Sequence, residues 1–152
     1  MHAHRLNAYE AAPAAMKALQ NVEAYLHRCG LDQKLIELVK MRASQINGCA
    51  YCLDMHSKEL RRLGESEQRI YLLNAWEESP LYTARERAAL AWTEALTLIS
   101  QTHAPDAVYE RVRREFDDKE LIDLTTLIGV INLWNRLAIS LRYEHPVNSA
   151  AA

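Results

Sequence analysis

The sequence predicts an all-α fold, and three observations carry that prediction. Apolar residues recur at helical spacing along nearly the whole chain, while alternation of strand period is almost absent. Helix start signals stand at Pro13, Asp32, Ser66, Thr83, Pro105 and Asp117, and stop signals at Gly30, Gly48 and Gly64. The 152 residues show no change of composition that would separate a second unit, so a single compact helical domain over residues 1–152 is expected, large enough for a real core.

Taken in order, Pro13 opens a first helix through Met16, Leu19, Val22 and Leu26, which ends at Gly30, where glycine suits a left-handed cap. Asp32 caps a second, Gln33 to about Ile46, with Leu35, Ile36, Leu38, Val39 and Met41 apolar, and Asn47-Gly48 stops it. The third begins near Cys49 and runs to Leu63, with Gly64 past its end. A short helix after Ser66 carries Ile70, Leu72, Leu73 and Trp76 before Glu78-Ser79-Pro80 breaks the chain. Thr83 and Glu86 form a capping box, hydroxyl and carboxylate each satisfying a free backbone N–H, and open a long helix through Leu90, Trp92, Leu96 and Ile99. Pro105 starts a shorter helix to about Phe116, and Asp117-Asp118-Lys119-Glu120 caps the last, about Leu121 to Arg142. That helix is apolar nearly all round, which in a chain this small points to an oligomer interface. The tail, residues 146–152, is expected to fray.

Composition excludes several function classes. Net charge is −2, with 18 basic and 20 acidic residues interspersed, so the concentrated positive field of a nucleic-acid binder is missing. The clusters Arg61-Arg62 and Arg111 with Arg113-Arg114 are short, broken by acids, and read as solvated helix faces. The first residues hold no apolar core of signal-peptide length, and no stretch approaches the roughly 18 apolar residues of a membrane span. The expected location is the cytoplasm, with no membrane partner. There is no GxGxxG, phosphate loop or GxSxG, and no cofactor is expected. Three cysteines make a poor disulfide framework, and in a reducing compartment a CxxC is redox-active or metal-binding. Cys29, alone beside Gly30, reads as an ordinary helix-end residue.

The chemistry gathers between residues 37 and 56. Cys49 and Cys52 are three apart, one helical turn, a separation that suits a disulfide. Gly48 places Cys49 at or near a helix N-terminus, where free N–H groups and the helix dipole stabilise a thiolate. His56, four residues after Cys52, lies on the same face and can take its proton directly or through water. The histidine favours Cys52 as the activated thiol and the dipole favours Cys49; a division of labour in which Cys52 meets the oxidant and Cys49 resolves it accommodates both. Glu37 lies in the apolar run Leu35-Ile36-Glu37-Leu38-Val39, where a carboxylate is either solvated or buried with a partner. In an antiparallel helix pair through Asn47-Gly48, Glu37 lies about eleven residues back and His56 about eight forward, similar depths at about 1.5 Å per residue. Glu37 can then orient His56. Tyr51 packs between the cysteines or donates its hydroxyl to a thiolate or water. The same four residues could serve as zinc ligands, although the second Cys or His pair usual in zinc fingers does not occur nearby.

At Glu37, Cys49, Cys52 and His56 the chain resembles the alkylhydroperoxidase D-like family of the carboxymuconolactone decarboxylase superfamily, whose motif is E-x11-C-x2-C-x3-H. The resemblance continues through Leu63-Gly64, Trp76-Glu77-Glu78-Ser79-Pro80 and Thr83-Ala84-Arg85-Glu86, covering roughly residues 30–100 specifically. It implies an all-helical protein assembled as trimers or hexamers, and a thiol peroxidase in which Cys52 is peroxidatic, Cys49 resolving, His56 the base and Glu37 its orienter. It also implies a Cys49–Cys52 disulfide cycle, a hydroperoxide substrate, and reduction by lipoylated or thioredoxin-like proteins. One departure stands out: the best-known peroxidase members have histidine immediately before the second cysteine, and this chain has Tyr51, one base fewer. The decarboxylases of the superfamily lack the cysteine pair. Two functions follow, a thiol-dependent peroxidase and, alternatively, a protein dithiol–disulfide oxidoreductase or redox sensor.

Overall fold

A computed structural model describes residues 3–147; residues 148–152, most of the tail expected to fray, lie outside the described residues. Among the described residues the regular elements are all helical. They are α1 (Ala8–Ala11), α2 (Pro13–Leu26), α3 (Gln33–Asn47), α4 (Ala50–Arg62), α5 (Glu67–Tyr71), a 3-10 turn (Leu73–Ala75), α6 (Ala84–Thr97), α7 (Ile99–Thr102), α8 (Asp106–Arg113) and α9 (Asp118–Leu141).

The capping signals act where the sequence puts them. Asp32 accepts from the Leu35 N–H at 3.0 Å and starts α3. Thr83 with Glu86, and Asp117 with Glu120, close complete capping boxes at the starts of α6 and α9. Arg85 ties the two starts together: its guanidinium donates to Glu120 Oε1 at 2.7 Å and stacks 3.9 Å over the Phe116 ring. Both basic clusters are ion-paired, Arg61 with Glu67, Arg62 with Glu59, Arg113 with Asp118.

Three boundaries differ from expectation. The first long helix ends at Leu26 rather than Gly30, because Arg28 N–H bonds to Tyr25 O and tightens the last turn; Gly30, at φ +103°, then reverses the chain. The helix expected to reach Ile99 breaks at Leu98. Thr102 folds its hydroxyl back onto Ala95 O at 2.6 Å, and Ala104, barred from the right-handed helical region by Pro105, sits at φ +48°. The helix after Pro105 stops at Arg113, and Phe116 turns inward instead of extending it. The four-residue α1 was not foreseen.

Helix α3 is the hub, packed between α4, α6 and α9. From Leu35 to Met41 every residue is buried, a condition that forces partners on the two charged ones, Glu37 and Lys40. One core cluster joins α2, α3, α6, α8 and α9 around Leu26, Ile36, Ala89, Leu124 and Ile128, and a second fills the space between α3, α4, α5 and α6 around Leu38, Leu60, Leu73 and Leu90. A third, small cluster holds Cys49, Cys52 and Ala138 with Tyr51 and Tyr143 against it. Helix α9 is long and apolar enough to cross a membrane by length and composition, but it buries Leu124, Leu127, Ile128 and Ile131 in the core, as a central helix of a globular fold does. Ile122, Gly129 and Leu133 form an exposed stripe along its other side.

Candidate active site

The turn between α3 and α4 builds the site. Gly48 takes φ +69°, ψ +35°, a left-handed geometry that a side chain would strain, and so turns the chain to place Cys49 as the N-cap of α4. Cys49 N–H donates to Ser44 O at 3.0 Å, fastening the turn to the end of α3. The Cys49 sulfur takes the role that serine or aspartate usually plays at an N-cap, accepting from Cys52 N–H at 3.4 Å. Both cysteines are buried free thiols, 1% and 2% exposed.

One helical pair supplies the second half. Helices α3 and α4 run back along each other, and at matching depth His56 Nδ1–H donates to Glu37 Oε2 at 2.7 Å with both groups buried. Since Glu37 holds Nδ1, the other ring nitrogen is the acceptor, and His56 Nε2 is buried without a protein hydrogen-bond partner. Cys52, His56 and Glu37 line one cleft of about 760 Å³, whereas Cys49 is not on its wall. The cleft is walled further by Tyr9, Tyr51, Met55, Trp134, Ala138 and Tyr143. The cleft wall therefore includes Cys52 and His56 but not Cys49, with both cysteines and the His56 imidazole almost wholly buried. Among the described residues no three His, Cys, Asp or Glu side chains converge as metal ligands.

Of the two thiols, Cys49 is the more readily ionised. Cys49 is drawn from an ordinary thiol value of 9.0 down to about 7, first because the Cys52 S–H donates to it, with the Cys52 and Tyr51 N–H groups and the Asn135 amide adding and burial opposing. Cys52 is pushed up by giving that hydrogen bond, by burial and by the negative charge on Cys49. The reduced protein is thus expected to show one thiolate per chain titrating near pH 7 by absorbance at 240 nm, and Cys49→Ser to lose that step. The sign follows from the downward shift. This ionisation favours the folded dithiol fully above pH 9, and the contribution is lost as pH falls through about 7. A midpoint unchanged in Cys49→Ser would place the charge elsewhere.

Several contributors carry no motif. Lys40, buried on the cleft wall, pairs with Glu23 at 2.8 Å, and Trp134 Nε1–H donates to the other oxygen of Glu23 at 2.9 Å. Tyr143 meets Tyr51 edge to face with ring centroids 5.5 Å apart, and the His4 ring lies 5.4 Å from that of Tyr143. Asn132 and Asn135, polar interruptions three apart in the apolar α9, both receive Asn47 Nδ2–H, at 2.9 and 2.8 Å. Two amides on one face of an apolar helix are themselves a legible signal of a buried polar contact. Cys29 is half-buried against the main core, its thiol donating to Leu26 O at 3.1 Å.

An all-helical scaffold that buries a CxxC at a helix start and backs it with a carboxylate–imidazole pair defines a narrow class. The model of the carboxymuconolactone decarboxylase family matches residues 10–95. The chain is 44% identical over 137 residues to an uncharacterized protein, YdfG, of Bacillus subtilis strain 168, spanning 90% of this chain and 93% of that one. A crystal structure of a protein of unknown function from Agrobacterium tumefaciens, suggested to be the antioxidant defence protein AhpD, superposes with a TM-score of 0.93 at 49% identity, over 96% of this chain and all of that one. A peroxidase-related protein from Silicibacter sp. TM1040 superposes with a TM-score of 0.78 at 27% identity, over 92% of this chain and 74% of that one. The chain belongs to the carboxymuconolactone decarboxylase family and is alkylhydroperoxidase D-like within it.

Proposed function

We propose that the protein is a cytoplasmic thiol peroxidase that reduces hydroperoxides through a Cys49–Cys52 dithiol–disulfide cycle. The observation that supports it most is the buried 2.7 Å Glu37–His56 pair on the cleft wall that also carries Cys52. In this reading His56 Nε2 takes the Cys52 proton, and the Cys52 sulfur attacks the terminal oxygen of ROOH. The O–O bond breaks, an S–O bond forms, and the departing alkoxide receives the proton from His56 as ROH. The Cys49 thiolate then attacks the sulfenic sulfur; an S–S bond forms and hydroxide leaves, taking a proton to become water. Glu37 stabilises the imidazolium while it exists. A lipoylated or thioredoxin-like protein dithiol returns the disulfide to the reduced state.

Stopped-flow mixing of the reduced protein with cumene hydroperoxide tests this reading. Two thiols per chain should disappear, with one ROH formed per disulfide. A second reading, a protein dithiol–disulfide oxidoreductase or sensor, draws support from Tyr51, which stands where the family's peroxidases carry a further base. It predicts slow thiol loss with peroxide and fast exchange with a lipoyl or thioredoxin disulfide.

The exposed α9 stripe of Ile122, Gly129 and Leu133 fits a homo-oligomer, a trimer or hexamer in the family's manner. Light scattering at micromolar concentration should give a multiple of the 17.4 kDa chain mass, and a monomer mass would refute it.

A further inference from the structure

We propose that the Tyr143 hydroxyl binds the substrate: it donates a hydrogen bond to one oxygen of a neutral organic hydroperoxide, the oxygen that carries the organic group and leaves as alcohol. The proposal deepens the peroxidase reading above and rests on it for the identity of the ligand.

The path of the chain puts the ring beside the cysteines. Helix α9 ends at Leu141, and Arg142 takes a left-handed conformation, φ +58° and ψ +55°, which a side chain adopts only against strain. That turn sends Tyr143 back over α9, where its N–H donates to Ala138 O at 2.9 Å. Ala138 shares the third cluster with Cys49 and Cys52, and Tyr143 packs against that cluster with Tyr51 edge-on to it. The ring is thus fixed on the layer that holds the sulfurs, in the wall of the cleft that Cys52 and His56 line.

The polar inventory of the wall then singles out the hydroxyl. Its charged side chains all have ion-pair partners: Glu37 with His56, Lys40 with Glu23, Asp54 with Lys58 and Glu59 with Arg62. A wall without an unpaired charge suits an uncharged ligand. Two buried side-chain atoms of its residues have no protein partner among the described residues, His56 Nε2 and the Tyr143 hydroxyl. A buried polar group is costly until something satisfies it. His56 Nε2 is taken up by the Cys52 proton, which leaves the Tyr143 O–H for the oxygen of the ligand. Burial first, and the neighbouring Tyr9 and Tyr51 after it, hold the Tyr143 hydroxyl above its ordinary value of 10.0, so it remains a donor through the neutral range. As the O–O bond breaks, charge builds on the oxygen that carries the organic group. A donor fixed there holds the transition state more tightly than the bound substrate. Tyr143 keeps its own proton, and the one that completes the alcohol comes from His56.

Tyr143→Phe tests the proposal, since it keeps the ring and removes the oxygen. Cumyl alcohol is the binding probe, because it has the body and the oxygen of cumene hydroperoxide and no O–O bond to react. Ligand-observed NMR titration of the reduced protein should give a Kd about fivefold higher in Tyr143→Phe than in the wild type, the worth of one net hydrogen bond. Stopped-flow oxidation by cumene hydroperoxide should slow by more, about thirtyfold, because the bond is to an oxygen gaining charge. The melting temperature and the thiolate midpoint at 240 nm should stay in place, since the hydroxyl has no protein partner to lose. Equal Kd and rate in the two proteins would overturn the assignment, as would a wild type that does not bind the alcohol. A rate loss accompanied by a lowered melting temperature or a moved thiolate midpoint would overturn it too, for the hydroxyl would then serve the fold or the cysteine pair. A wild type that binds cumyl alcohol without reacting with the hydroperoxide would retire the peroxidase reading alone, and the Kd comparison would still decide on Tyr143.

Discussion

Cys52→Ser is expected to abolish hydroperoxide turnover, while Cys49→Ser still reacts once. Acidity alone would suggest the opposite, since Cys49 is the thiol drawn down from its ordinary value. Access decides it. Cys52 lines the cleft and Cys49 does not, and a hydroperoxide must reach its nucleophile in line with the O–O bond. Removing the Cys49 sulfur leaves Cys52 to be deprotonated by His56 without the competing thiolate beside it, so one oxidation to sulfenic acid should follow and then stop for want of a resolving thiol. Serine at position 52 is a poor nucleophile even beside a base of this kind, and the rate should fall to background. Alcohol formed per chain from cumene hydroperoxide, with no reductant added, reads the difference. Retained turnover in Cys52→Ser would transfer the nucleophile's role to Cys49.

Glu37→Gln is expected to slow the first oxidation step by about 10² with little loss of stability. The glutamine has the shape of the glutamate and still offers an oxygen to His56 Nδ1–H, so the ring keeps its orientation. What disappears is the negative charge that balances the imidazolium when His56 holds the Cys52 proton, in a site buried enough for that charge to count. His56→Ala would be a poorer probe, because it strands the buried Glu37 carboxylate at a cost of about 3–5 kcal/mol and confounds activity with folding. Stopped-flow rates with melting temperatures measured alongside separate the two effects. An unchanged rate in a folded Glu37→Gln protein would leave the glutamate a purely structural partner.

Much of this architecture is legible because it is written in local signals. Asp32, Thr83 with Glu86 and Asp117 with Glu120 start helices where they stand, and the Asn47-Gly48 stop makes α3 and α4 a hairpin whose equal depths bring Glu37 to His56. The break at Leu98 and the early end of α8 go with contacts outside the helical repeat, Thr102 folding onto Ala95 and Phe116 turning into the core, and the short α1 starts at a local Asn7 cap. Such contacts leave no periodicity to read. The site divides in the same way. Its hairpin half, Lys40 included, has a fixed spacing, whereas Glu23, Trp134 and Asn135 reach it from α2 and α9 and Tyr143 from just past the end of α9, and only the odd polarity of Lys40 and Asn135 within buried stretches hints at these contacts. Helix α9, apolar nearly all round by composition, turns one side to the core and leaves a narrow stripe exposed; which residues fall on which side depends on where α2, α3 and α6 pack.

The cleft-lining sulfur, and not the more acidic one, is expected to meet the oxidant. The most direct test is to treat reduced Cys49→Ser with one equivalent of cumene hydroperoxide in the presence of dimedone and map the adduct by peptide mass spectrometry. One dimedone per chain is expected on Cys52, with none on Cys29. An unmodified Cys52, together with a dimedone adduct on Cys49 in the reciprocal Cys52→Ser protein, would contradict it.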